Sequence, residues 1–171
     1  MTWITETNLE TIEDLIRCQL KSLFDIELRL NDLLPRLRDA AHDAQLKDLI
    51  EEHHDRTTGQ IERLEAAFAL MGAHPERVVS HAMRGIAHEC ELLMAARGDP
   101  DVLDAALIAY AQNIAHYEIA GYGCARAWAH AWGREDLAGL MQEALDEERE
   151  YDRRLTALAD QAVNAHAVHP T

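Results

Sequence analysis

Ala115-His116-Tyr117-Glu118-Ile119-Ala120-Gly121-Tyr122 places a carboxylate in the middle of what reads as a long helix. Projected at roughly 100° per residue, Glu118 shares a stripe with Leu107, Ala111, Ala115, Tyr122, Ala125 and Ala129. Every other member of that stripe is apolar, small or aromatic. An ionised carboxylate facing a core needs a cation, a metal or a proton beside it. The rest of the chain is therefore read for groups that could meet Glu118.

Three further helical stretches supply them. The first runs Ile12, Ile16, Leu20, Leu23, Leu30, Leu34, with Glu27 where the next apolar residue is due. Thr7-Asn8-Leu9-Glu10 reads as its capping box, and Pro35 is expected to kink it near its end. A turn at Ala41 to Asp43 leads into Leu46, Leu49, Ile50, Thr57, Gln60, Ile61, Leu64 and Phe68, with His53 at the centre of the face. Gly72 marks the stop. Val78 to Arg97 reads as a shorter helix and connection. Asp99 and Pro100 then open the helix that carries Glu118 and ends before Gly133. The last long helix, about Arg134 to Val163, turns Leu137, Leu140, Met141, Ala144, Leu145, Leu155 and Leu158 inward, with Glu148 mid-stripe and Asp152 one turn on.

Two long hairpins joined by a long crossover define an all-α, ferritin-like four-helix bundle with one short extra helix. Residues 1–163 are expected to form a single domain, followed by a flexible tail at 164–171. Glu27 and His53 flank the first turn at similar distances, and Glu118 and Glu148 flank the second. Antiparallel pairing therefore brings all four to one level.

Composition narrows the partners. Few prolines (4) and glycines (8) among abundant Ala, Leu, Glu and Arg favour helix. A net charge of −15 argues against nucleic acid and anionic membrane as partners. No apolar run approaches the ~20 residues of a membrane span, and the first residues do not read as a signal peptide, so a cytoplasmic location is expected. Cys18, Cys90 and Cys124 follow no zinc or redox spacing and read as reduced core thiols.

Carboxylate oxygens with an imidazole suit iron or manganese, and a pair of such ions needs several carboxylates to bridge and neutralise it. In the ferritin-like dimetal pattern two helices give one Glu each and two give a Glu-x-x-His. Glu27 and Glu118 fill the single-Glu places, Glu148 with Asp152 one paired place, and His53 begins the other. Taken singly, each acid reads as a solvated side chain and His53 as a hydrogen-bonded core histidine; the shared level sets them apart. His116 projects away from Glu118 and is left out. Tyr122, on the inner face, reads first as core and second as a hydrogen-bond donor to the acids.

The same residues resemble the YciF/YciE-type ferritin-like proteins, the DUF892 group of bacterial stress-response proteins. The matching stretches are Asp25-Ile26-Glu27, His53-xxx-Thr57-xx-Gln60-Ile61-Glu62-Arg63-Leu64, Asp104 to Ala109, His116 to Gly123, and Leu145-Asp146-Glu147-Glu148 with Asp152. The resemblance implies the bundle, a dinuclear metal centre and a homodimer. It breaks at Arg56, where such proteins usually carry a Glu. Glu52, on the same side as Arg56, is then the substitute ligand. The expected function is a di-iron or iron–manganese protein reacting with dioxygen or peroxide, ferroxidase-like or peroxide-reducing. The alternative is a metal-free or single-metal bundle, acting through partners, in which Arg56 neutralises the acids.

Overall fold

The computed structural model describes residues 8–168. Thr7, half of the expected first cap, lies outside them, and the first helix, α1 (Ile12–Ala40), is capped one turn later than expected. The Thr11 hydroxyl accepts from the Asp14 N–H at 3.1 Å, while the Asp14 carboxylate accepts from the Thr11 N–H at 2.9 Å. This reciprocal pair satisfies two otherwise free helix-end donors. Glu10 stays outside and accepts from Asn8 at 2.9 Å. α1 continues through Pro35 and ends at Ala40.

Asp43 caps α2 (Ala44–Leu70), and Ser80 caps the short α3 (His81–Met94). Asp99, with Pro100 in the first turn, caps α4 (Pro100–Ala131). The fifth helix, α5 (Glu135–Leu158), follows a turn in which Gly133 adopts φ +78°, a conformation side-chain-bearing residues resist. It widens into a π-turn at Ala159–Val163 and resumes as α6 (Asn164–Val168). The segment expected to fray is therefore helical through Val168, although α6 buries no residue.

α1/α2 and α4/α5 form the two antiparallel hairpins, and residues 71–99, including α3, cross over between them. Contacts at both ends define the path. Arg17 donates to the Met71 carbonyl at 2.8 Å, so the crossover leaves beside the start of α1. The buried Asp104 of α4 accepts from the His42 and Asp43 N–H groups at 2.8 and 2.6 Å, so it arrives beside the α1–α2 turn. The crossover thus runs the length of the bundle. Midway, the fully buried Asp25 accepts from the Ser80 N–H at 2.9 Å and pairs with Arg29 (2.7 Å) and Arg77 (3.1 Å), tying the connection to α1.

The core is mainly Leu and Ile from α1 and α2 facing Leu, Ala and Met from α4 and α5. Gly121 lets α4 approach α1: a Cβ there would sit 2.9 Å from Leu23 Cδ2 and 3.0 Å from Gln19 Nε2. Of the expected core thiols only Cys90 is buried; Cys18 is half-buried and Cys124 exposed, because position 124 turns away from the stripe that carries Tyr122 and Ala125. Among the described residues, no helix is long and apolar enough to cross a membrane.

Candidate metal centre

His53 from α2, Glu118 from α4 and Glu148 from α5 meet in the middle of the bundle. Each offers a ligand atom, and these atoms lie within 4.8 Å of one another. His53 Nε2 is 3.3 Å from Glu148 Oε2 and 3.7 Å from Glu118 Oε2. Glu27, from α1, is also fully buried and stands beside Glu118, with the Tyr122 hydroxyl donating to its Oε1. Gly121, where α4 closes on α1, directly precedes Tyr122 in the chain.

Two further residues complete the site: Gln60, read from the sequence only as part of the inner face, and Tyr151, which that reading did not single out. The Gln60 amide donates to Glu148 Oε1 at 2.6 Å. The Tyr151 ring lies over His53, with centroids 4.1 Å apart, and its hydroxyl is buried with no partner. Their signal was present in the sequence. His53, Thr57 and Gln60 form a polar ladder at steps of four and three, and Tyr151 stands three after Glu148, one helical turn away. Thr57 closes its own position by donating to the His53 carbonyl at 3.1 Å.

The two remaining expected ligands lie elsewhere. Asp152 accepts from Gln112 at 3.0 Å and stands 3.4 Å from His116 Nε2 on the outer α4–α5 seam. A step of four residues overshoots a full helical turn by about 40°, and this short side chain is captured by α4 before it reaches the interior. Glu52 is exposed and paired with Arg154 of α5. One residue before His53, it has rotated about 100° to the bundle's edge. Arg56 is half-buried and donates to the Glu147 carbonyl at 3.3 Å, and among the described residues it ion-pairs with no carboxylate.

What distinguishes the centre is unmet hydrogen-bonding capacity. Glu27 Oε2, both oxygens of Glu118, Glu148 Oε2 and both nitrogens of His53 are buried without a hydrogen-bond partner. Buried polar atoms are nearly always paired, so a convergent group of unpaired acceptors fits an ion. The protonation pattern agrees. Burial, then the Glu148 charge, pushes Glu27 up to about 7. The same causes, with Glu27, hold Glu118 well above the usual carboxylate range. Burial also works against ionised Glu148, but His53 and Gln60 outweigh it and keep its carboxyl low. Burial disfavours the His53 imidazolium, yet the Glu148 charge, followed by that of Glu27, raises its pKa overall. Protons thus occupy places that a divalent ion would take, and such an ion would displace them.

A buried carboxylate–imidazole cluster inside two crossed-over hairpins defines a ferritin-like helical bundle with a possible metal site. The family model described as "Domain of unknown function (DUF892)" matches residues 11–168, and the chain belongs to that family. It is 35% identical over 161 residues to protein YciF of Escherichia coli K12, covering 94% of this chain and 97% of that one. The crystal structure of YciF, described as a stress protein, superposes with a TM-score of 0.87 at 34% identity, over 91% of this chain and 99% of that one. YcfI of Rhodopseudomonas palustris gives 0.86 at 32% identity, over 90% and 98%. A two-domain protein of Anabaena variabilis, containing DJ-1/ThiJ/PfpI-like and ferritin-like domains, gives 0.66 at 19% identity, over 95% of this chain and 40% of that one, a likeness of fold alone.

Proposed function

We propose that this protein binds iron or manganese in the bundle core and reacts it with dioxygen or peroxide, in the cytoplasm, as part of a stress response. The observation that carries the reading is the convergence of buried, unpartnered donors from Glu118, Glu148, His53 and Glu27. Their chemistry, hard carboxylate oxygens with one imidazole, suits these metals. When bound, such an ion supplies one-electron reduction of dioxygen or peroxide, which no side chain here performs.

The chain's own groups do the rest. Glu118, Glu148 and His53 hold the ion, with Glu27 beside Glu118. Tyr122 and Gln60 keep Glu27 and Glu148 oriented through single hydrogen bonds. Tyr151 covers the imidazole. Complete burial of the four ligand side chains excludes bulk water. The dinuclear centre expected from the sequence draws no support from Asp152 or Glu52, both engaged elsewhere. A homodimer belongs to the same proposal; exposed Leu92, Val78 and Val79 leave apolar surface on the crossover side for it.

A metal-free structural bundle is the second reading, favoured by the His53–Glu148 approach, which neutralises two groups without an ion. Anaerobic addition of Fe(II) to metal-stripped protein, followed by exposure to oxygen, separates the two. Tight binding and rapid growth of ferric absorbance, both lost in Glu118→Ala, support the metal reading. No binding supports the structural one.

A further inference from the structure

We propose, given that the centre binds metal at all, that it holds one ion and not two, with the Arg56 guanidinium supplying the charge that a second ion would bring. Donor supply comes first. Glu27, Glu118 and Glu148 carry six carboxylate oxygens, but Tyr122 occupies Glu27 Oε1 and Gln60 occupies Glu148 Oε1. Left without partners are Glu27 Oε2, the two oxygens of Glu118, Glu148 Oε2 and the imidazole of His53. Those five donors nearly fill the coordination of a single octahedral ion. A pair of ions in this architecture draws on four Glu and two His.

The shortfall has an address. The paired ligand positions stand three residues apart on two helices. In the Glu-x-x-His order they read Ile50-x-x-His53 on α2 and Glu148-x-x-Tyr151 on α5, with Arg56 three residues beyond His53. Ile50 offers no ligand, and Arg56, one turn to the other side of His53, brings a cation and no donor for a metal. Tyr151 replaces a ligand with a neutral ring stacked on His53.

Charge leads the same way. The three carboxylates are balanced by one divalent ion together with Arg56. A second divalent ion would leave excess positive charge in a core with little water to screen it, which is costly. Arg56 is placed for this role. It is half-buried, anchored to the Glu147 carbonyl next to Glu148, and its charge is felt at both Glu148 and His53.

The test is an anaerobic Mn(II) titration of the full, metal-stripped chain by calorimetry, with metal analysis after desalting and electron paramagnetic resonance of the loaded protein. One ion per chain, with the spectrum of an isolated Mn(II), is the expected result. Two ions, with the spectrum of an exchange-coupled pair, would overturn the one-ion assignment and leave metal binding intact. No ion would overturn metal binding itself. Arg56→Glu, which removes the cation and adds a carboxylate, is expected to take up two ions, and Arg56→Gln, which adds no carboxylate, one. Arg56→Glu staying at one ion, with helicity and sizing unchanged, would overturn the role given to Arg56. The unaltered chain decides the ion count even if neither variant folds.

Discussion

Asp25 and Glu118 are both acids at 0% exposure in one small bundle, yet they are opposite kinds of buried charge. Asp25 is met by a backbone N–H and two guanidinium groups, and Asp104 likewise by two backbone N–H groups. These clamps carry fixed donors and tie the crossover and the first turn to the long helices. Glu118 has no donor on either oxygen, His53 has no partner on either nitrogen, and Glu27 and Glu148 beside them are only part-satisfied. Burial of an acid therefore says little about function. What an acid lacks, once buried, says more.

The contrast breaks most visibly at the clamp. Asp25→Ala leaves a buried N–H without its acceptor and two arginines without their partner, and should cost about 3 kcal/mol in a urea melt. Glu118→Gln should do the reverse in the metal-free protein. It relieves desolvation of a group already held protonated, so stability should hold or rise, while Mn(II) affinity falls about 100-fold, read by calorimetry. A Glu118→Gln protein that melts as early as Asp25→Ala would erase the distinction.

Gly121→Ala tests the close approach of α4 to α1. With Leu23 and Gln19 at 2.9 and 3.0 Å from the new methyl, a loss of about 2 kcal/mol is expected in thermal melts. Tyr122→Phe removes only the donor to Glu27 and should weaken Mn(II) binding by about tenfold.

Acidity gives the smallest and most diagnostic effect. Glu27 and Glu118 hold protons in the folded state above the ordinary carboxyl value of 4.5, Glu27 to about 7. Stability from these neutral forms is full below 4.5 and is lost as pH rises through the folded values. His53 acts in the same direction, its contribution present below 6.5 and lost above. Glu148, held low, acts at the other end and loses its contribution as pH falls below 4.5. The metal-free Tm should therefore fall between about pH 6 and pH 8, and saturating Mn(II) should flatten or invert that slope by replacing the protons. An identical slope with and without Mn(II) would separate the titrating groups from the metal.

Much of this was open to inspection in the chain itself. Stripe periodicity, the turn at Ala41 to Asp43, the Asp99 cap and the Gly133 turn determine four long helices in two hairpins, because each is a local backbone preference or a repeat at the helical period. The central polar positions Glu27, His53, Glu118 and Glu148 follow from that same periodicity, since a register read in one helix carries to its antiparallel neighbour. Which acids meet was decided by tertiary packing. Asp152 and Glu52 share the composition and near-spacing of ligands, but neighbouring Gln112 and Arg154 capture them. Gln60, Tyr122 and Tyr151 pass for packing residues until another helix places a carboxylate or an imidazole against them. The physical reason is range: a helix period fixes the face a side chain leaves from, while its partner is chosen by competition among groups 40 to 102 residues away, which only the assembled bundle brings within reach.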